Sequence, residues 1–213
     1  GRLKMLSKAQ DNVHSVLFAG DPSIRSVADL RGKKVGTGAV GAQIHIYMSA
    51  LIKKAGIDLN DVTFVNLGGS TEIFRAVAAG IVDVGPGSPE LMYETEKYKV
   101  HVVAPVWELV PEIIGQATYA SDRTIETKRD LLVRTLAAYW RMARFINEQD
   151  SREAWIKART GALGGDQTQA GANVWQIIRD SRLMPTSLVL EPERIQWMQE
   201  QNMLLGTQQK IIP

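Results

Sequence analysis

Apolar and polar positions alternate in blocks along this chain. Short runs rich in β-branched residues lead into Gly-rich turns, which lead into stretches with an apolar stripe at helical spacing. Lys34–Thr37 predicts a strand that ends among glycines. Gln43–Ala55 predicts a helix, with Ile44, Tyr47, Met48, Leu51, Ile52 and Ala55 on one stripe and Gly56 as its stop. Val62–Leu67 predicts a second strand, Thr71–Ala79 a helix stopped by Gly80, and Val82–Gly85 a third strand. Ser88-Pro89-Glu90 sets a capping residue before a proline at the first helical position, which predicts another helix. Val100–Pro105 predicts a fourth strand. Such short strand-to-helix turns imply parallel strands with right-handed crossovers. Lys33 to about Val106 therefore reads as one α/β unit.

The pattern outside that unit is mostly helical. Val13–Gly20 and Ile113–Ala120 predict two more strands. Thr124–Glu148 predicts a long helix, with Leu132, Leu136, Tyr139, Trp140, Ala143 and Ile146 on one stripe. Ser151–Ala158 is a shorter helix, and the capping-box form of Asp166–Gln169 opens one that runs to about Arg182. Glu191-Pro192-Glu193 opens the last, which ends at Gly206. Two strands are a thin platform for these helices. A further part of this second lobe is expected outside the sequence, on its N-terminal side or in another chain.

Composition narrows the function classes. With 45% hydrophobic and 23% charged residues, the chain buries an ordinary core. Lys+Arg is 25 and Asp+Glu is 23, a net charge of +2 without a run of like charges, so no nucleic-acid partner is expected. The absence of cysteine excludes disulfides, thiolate metal sites and a cysteine nucleophile. No apolar run approaches the ~20 residues of a membrane span. Residues Gly1–Leu6 lack the apolar stretch of a signal peptide, so an export signal is expected outside this sequence.

Candidate chemistry gathers in three turns. Ligands of parallel α/β sheets bind beyond the carboxyl ends of the strands. Here those ends carry Thr37–Gln43, Gly68–Thr71 and Gly85–Glu90. Each turn leads into a helix N-terminus, whose unpaired N–H groups and partial positive charge suit a carboxylate, sulfonate, nitrate or phosphate. Gly and Ser there could equally serve only to shape and cap the connections. Gly36-Thr37-Gly38-Ala39-Val40-Gly41 matches the dinucleotide fingerprint G-x-G-x-x-G, but Asp61, the acid at ribose spacing, precedes the second strand instead of ending it. His14, His45 and His101 lack metal-binding spacing, and no G-x-S-x-G is present, so no metal, cofactor or catalytic residue is expected. His14 and His101 fall in apolar strands and read as structural, whereas His45 can approach the cleft. Trp140, Trp155, Trp175 and Trp197 lie in helical segments and read as core, while Trp107, where the chain leaves the first unit, can face a ligand. Glu72 and Glu90 each sit in a first helical turn, either satisfying the helix dipole or meeting a ligand amine or hydroxyl.

Ser23–Gly36, Lys53–Val62 and Ala76–Val84 together resemble periplasmic solute-binding proteins of ABC importers, in the nitrate/sulfonate/taurine and thiamine-precursor branch. The helical C-terminal third is similar in pattern too. The resemblance implies a two-lobed type II periplasmic-binding-protein fold, each lobe a sheet flanked by helices, with lobe 1 incomplete in this chain. Residues 33–106 would form lobe 2, and 1–32 with 107–213 lobe 1, with hinge crossings near 21–33 and 106–113. It implies a monomeric, non-enzymatic protein, periplasmic or lipid-anchored, that closes its lobes on a small anionic organic ligand and delivers it to a membrane permease. The ligand residues that follow are Thr37, Gly38, Gly41, Ala42, Gln43, Gly69, Ser70, Thr71, Gly87 and Ser88, with Trp107 covering the ligand. Relatives often carry a hydroxyl residue where Ala42 stands; Gln43 offers an amide instead. The effector domain of a LysR-type regulator shares this architecture and is the alternative, and a thiamine-precursor synthase is the enzyme built on the same fold.

Overall fold

The computed structural model describes residues 3–212. It divides into two compact units: one holds residues up to Val13 together with Ile114–Ile195, the other His14–Ile113 with the chain from Gln196 onward. These bounds differ from those expected. The first thirty residues do not all belong with the helical part, because the expected strand at 13–20 is built into the other unit.

That second unit is a five-stranded sheet in the order β4-β3-β5-β2-β6. Its strands are β2 (Val16–Ala19), β3 (Lys34–Thr37), β4 (Thr63–Asn66), β5 (Val84–Gly87) and β6 (His101–Pro105). β3 runs parallel to both β4 and β5. β2 runs antiparallel between β5 and β6, so the amino end of β2 shares an edge with the carboxyl ends of the others. All four residues of β2 are fully buried, which marks a strand covered on both faces. An apolar run of this kind does not reveal which sheet it joins, and that is why the sequence misplaced it.

Helix α1 (Gln43–Lys54) follows β3, and α2 (Ser70–Ala78) follows β4. After β5 the chain does not form the full helix expected from Ser88-Pro89-Glu90; it makes a 3-10 segment, Pro89–Glu94, and then the single turn α3 (Thr95–Tyr98). Helix α4 (Val106–Leu109) is equally short. Val16, Phe18, Phe74, Val77 and Val82 form the core here, with Phe74 edge-on to Phe18 at 5.0 Å and to Tyr98 at 5.1 Å. Two strand glycines let α2 sit close. A β-carbon on Gly36 would stand 2.8 Å, and one on Gly85 2.4 Å, from Ile73 Cγ2, so one isoleucine occupies the space that two absent side chains leave.

The other unit pairs β1 (Leu3–Gln10) with β7 (Gln116–Ser121) in an antiparallel ribbon. The ribbon carries α5 (Asp122–Thr127), α6 (Arg129–Asn147), α7 (Arg152–Leu163), α8 (Thr168–Asp180) and α9 (Pro192–Leu204), within which the division between units falls. The long helix expected at 124–148 is thus broken at Lys128. Ile146, Val174, Ile178 and Leu183 form the small core, and Trp175 donates its indole N–H to Ser151 Oγ at 2.9 Å. Lys8 is almost wholly buried and is held by the carboxylates of Asp11 and Glu191. Arg194 binds Asp11 as well, at 2.6 Å. Burial disfavours the charge on Asp11, but hydrogen bonds from Lys8 and Arg194 outweigh it and keep its pKa below the usual 3.8.

Candidate functional site at the carboxyl edge of the five-stranded sheet

The order of the strands fixes the order of the turns. The turn after β4 (Gly68–Thr71), the turn after β3 (Gly38–Gln43), the turn after β5 (Gly87–Glu90), the residues that precede β2 (His14 and Ser15) and Trp107 after β6 follow one another along one edge. Adjacent strands lie about 5 Å apart.

The β3 turn is the electropositive one. Helix α1 begins at Ala42, which has no side chain able to cap it, and its first turn contains no acidic residue. Ala42 and Gln43 are exposed. Gly41 holds φ +80°, a left-handed conformation that other residues adopt only at a cost, and a β-carbon on it would stand 2.6 Å from Thr207 Cγ2. Its N–H lies 3.5 Å from Nδ1 of His45, so the neutral imidazole supports this turn from behind. His45 is therefore not on the open edge: it is buried, its ring tilted against that of Phe64 with centroids 5.0 Å apart, and burial lowers its pKa.

The β4 turn is similar in form but already carries a charge. Helix α2 starts at Gly69 without a side-chain cap, and Ser70 and Thr71 are its first residues. The Glu72 carboxylate folds back over this end, with Oε2 3.0 Å from where a β-carbon on Gly69 would stand. The helix thus supplies its own anion.

The β5 turn offers acceptors. Ser88 begins the 3-10 segment but does not cap it; its hydroxyl donates to Glu90 Oε2. Pro89 has no N–H. Nε2 of His14 lies 4.0 Å from Glu90 Oε1, an ion-pair distance. His14, helped by the Ser88 hydroxyl and the backbone N–H of Glu90 itself, overcomes the cost of burial and draws the Glu90 pKa down to about 2. Beneath this turn, Tyr47 donates to Ser15 Oγ at 3.3 Å and Ser15 donates to the Gly87 carbonyl at 3.2 Å. Burial pushes the Tyr47 phenol well above its usual pKa.

Not every expected site residue reaches the open edge. Thr37 and Gly38 are buried, and a β-carbon on Gly38 would stand 3.2 Å from the Gly68 carbonyl, so that glycine lets two turns touch. Gly87 faces the core, where a β-carbon would meet Phe18 at 2.9 Å and Phe74 at 3.1 Å. Trp107 is half-exposed at this edge and packs with its buried part on the core cluster around Val16 and Phe18. Ala42, Gln43, Gly69, Ser70, Thr71 and Ser88 keep exposed or half-exposed positions. The glycines of the G-x-G-x-x-G pattern accommodate Ile73, the Gly68 carbonyl and Thr207 respectively, and Asp61 is paired with Arg31 before β4. That pattern is accounted for by packing. His14 is the residue the sequence reading missed. Its position inside the strand expected at 13–20 looked structural, but β2 begins only at Val16, and its antiparallel direction brings His14 to this edge. His101 is structural as expected, with Nε2 2.7 Å from the Ile24 carbonyl. Among the described residues no group of His, Cys, Asp or Glu is arranged to hold a metal ion, and no helix is long and apolar enough to cross a membrane.

The family described as NMT1/THI5 like matches residues 4–151. The chain belongs to the NMT1/THI5-like family. Solved structures agree on the fold. The alkanesulfonate-binding protein SsuA from Xanthomonas axonopodis pv. citri, bound to MOPS, superposes with a TM-score of 0.70 at 17% identity, covering 99% of this chain and 70% of that one. The periplasmic aliphatic sulphonate-binding protein SsuA from Escherichia coli gives 0.69 at 19% identity, covering 96% and 64%. The desulfurization enzyme DszB, solved as a mutant in complex with biphenyl-2-sulfinic acid, gives 0.60 at 14% identity, covering 99% and 74%. The fold is thus the α/β fold of periplasmic binding proteins, and both transport proteins and an enzyme are built on it. This NMT1/THI5-like chain spans about two thirds of the length of the transport proteins, 70% and 64% of the two SsuA chains. No curated protein matches its sequence.

Proposed function

We propose that this chain is a non-catalytic, extracytoplasmic solute-binding protein that captures a small organic anion and delivers it to an ABC permease. A monomer in the periplasm fits the reading. The observation that carries it is the start of α1, a helix of 12 residues that opens on an uncapped alanine with no acid in its first turn, at the ligand edge of the sheet. The β4 turn has Glu72 folded over it, and the β5 turn has its hydroxyl donated to Glu90, so the anion belongs at Gly41–Gln43. SsuA proteins of the same fold bind sulfonates, which supports a sulfonate or carboxylate head group.

Thermal unfolding of the 213-residue chain against alkanesulfonates, carboxylates, phosphate, neutral sugars and metal salts tests this. A ligand at about 100 times its dissociation constant adds about 2.7 kcal/mol of stability. Stabilisation by sugars or metals alone refutes the anion site, and steady turnover of a sulfonate or sulfinate refutes the non-catalytic reading. Gln43→Glu localises the site. A carboxylate at the N-terminus of α1 favours the helix but repels an anion, so the variant keeps its fold and loses anion binding on the order of tenfold or more.

A further inference from the structure

A separate polar pocket lies wholly in the unit built on the β1–β7 ribbon. Its cavity of about 420 Å³ is lined by Asp11, Asn147, Arg179, Arg182, Met184 and Thr186, from the end of α6, the end of α8 and the chain that follows. Its walls are tied together. The Asn147 carbonyl accepts from Arg179 Nη1, and the Asn147 side-chain amide donates to the Met184 carbonyl at 3.3 Å. The Arg179 guanidinium lies over the buried ring of Trp175 at 4.8 Å, so one cation of the pocket is held in place with donors to spare. The charge of Asp11 is already answered by Lys8 at 2.9 Å and Arg194 at 2.6 Å. Arg182 is the residue that packing does not explain. It follows α8 at φ +49°, a left-handed position where helices ordinarily place glycine and where a side chain is strained. The helix end does not need its charge. The N–H groups of Ser181, Arg182 and Leu183 close on the carbonyls of Ile177, Arg179 and Ile178, and Asn12 donates to the Ser181 carbonyl at 3.0 Å. No hydrogen bond or ion pair engages the Arg182 side chain among the described residues.

We propose that this pocket is a second ligand site, selective for a phosphomonoester, in which Arg179 and Arg182 clamp the phosphate. It is independent of the anion site at the start of α1. An arginine kept in a strained glycine position, beside a second guanidinium that is already fixed, is the pattern of a site that uses the strained residue. The guanidinium fork matches phosphate oxygens two at a time. Two such forks suit a group that carries nearly two charges at neutral pH, and suit a sulfonate or carboxylate, with one charge, less well. The cavity is also larger than a bare phosphate requires and falls within the range of about 300–1,000 Å³ usual for small-molecule sites. Met184 and Thr186 line the remaining space, where an organic group finds an apolar wall and a hydroxyl.

A matched pair of probes tests the pocket, using isothermal titration calorimetry at pH 8 on the full chain carrying Gln43→Glu, which closes the start of α1 to anions. Methyl phosphate and methanesulfonate are alike in size and differ by about one charge. The expected result is that methyl phosphate binds more tightly by on the order of tenfold, the value of one further charge-assisted hydrogen bond. Adding Arg182→Gly weakens methyl phosphate by on the order of tenfold or more, while the melting temperature stays equal or rises, because glycine accepts the left-handed position. Arg182→Lys, which keeps the charge without the fork, retains part of the affinity. Equal binding of the two probes, no binding of methyl phosphate by the Gln43→Glu chain, or an affinity that Arg182→Gly leaves unchanged overturns the proposal, and each leaves the α1 site to its own test. A melting temperature lowered by Arg182→Gly overturns it too, since the arginine then serves the fold.

Discussion

The seat of α2 on the sheet gives a sharp prediction. Ile73 is fully buried, and its Cγ2 lies 2.4 Å from the place of a β-carbon on Gly85 and 2.8 Å from that on Gly36. Carbon atoms in contact rest about 3.5–4.0 Å apart, so Gly85→Ala must push α2 outward by roughly 1 Å or distort β5. Overpacking of this kind costs about 1–3 kcal/mol, and the closeness of the clash puts Gly85→Ala at about 3 kcal/mol. The reduced freedom of the unfolded chain offsets about 0.4–1 kcal/mol, leaving a net loss of about 2 kcal/mol. Ile73→Ala deletes the clashing atom and opens a cavity, for a loss of about 3–4 kcal/mol. In the double variant the new methyl group at 85 enters the space that Ile73 vacates. Its loss should be close to that of Ile73→Ala alone, so the two changes fall short of additivity by about 2 kcal/mol. Urea unfolding followed by circular dichroism measures all three variants. A Gly85→Ala variant as stable as the parent, or losses that add within about 0.5 kcal/mol, would refute the packing argument. The same displacement moves the start of α2 at the ligand edge, so Gly85→Ala should weaken ligand binding although residue 85 touches no ligand.

Three further outcomes follow from other places in the molecule. Gly41→Ala should cost more than Gly56→Ala: both have positive φ, at a penalty of about 1 kcal/mol, but only position 41 meets a neighbour, Thr207, and Thr207→Ser should recover part of the difference in melting temperature. Glu90 is lowered from 4.5 to about 2, so its contribution to stability is complete above pH 4.5 and fades as pH falls toward 2; Glu90→Gln should lower the melting temperature on the neutral side and flatten the acid side, so that the two profiles converge as pH falls toward 2. Lys8 is buried between Asp11 and Glu191, so Lys8→Ala leaves carboxylates without their partner and should cost about 3–5 kcal/mol in denaturant titrations, more than Lys8→Met, which keeps the packing.

The elements at the ligand edge were largely legible in the sequence, because each is local. The β-branched run Val62–Leu67, the apolar stripe of α1 and the stops at Gly56 and Gly80 place β4, α1 and α2 without reference to anything distant. The turn after β5 was less legible. Ser88-Pro89-Glu90 has the composition of a helix start, yet the Ser88 hydroxyl is diverted to Glu90 and the segment winds as a 3-10 turn. Side-chain competition between residues two apart decided that, and propensity does not report it.

The sequence by itself determined the class of fold, the three Gly/Ser-rich turns and the chemistry open to them, since periodicity and turn residues act within a few positions of the chain. Tertiary structure decided which of the three helix starts stays open. Antiparallel insertion of β2 carried His14 to the ligand edge, folding back of Glu72 filled one helix end, and diversion of Ser88 closed another. Those are contacts of strand order and side-chain direction, between residues as far apart as His14 and Glu90. They left α1, which begins at Ala42, as the one helix start of the three turns without an acid against it among the described residues.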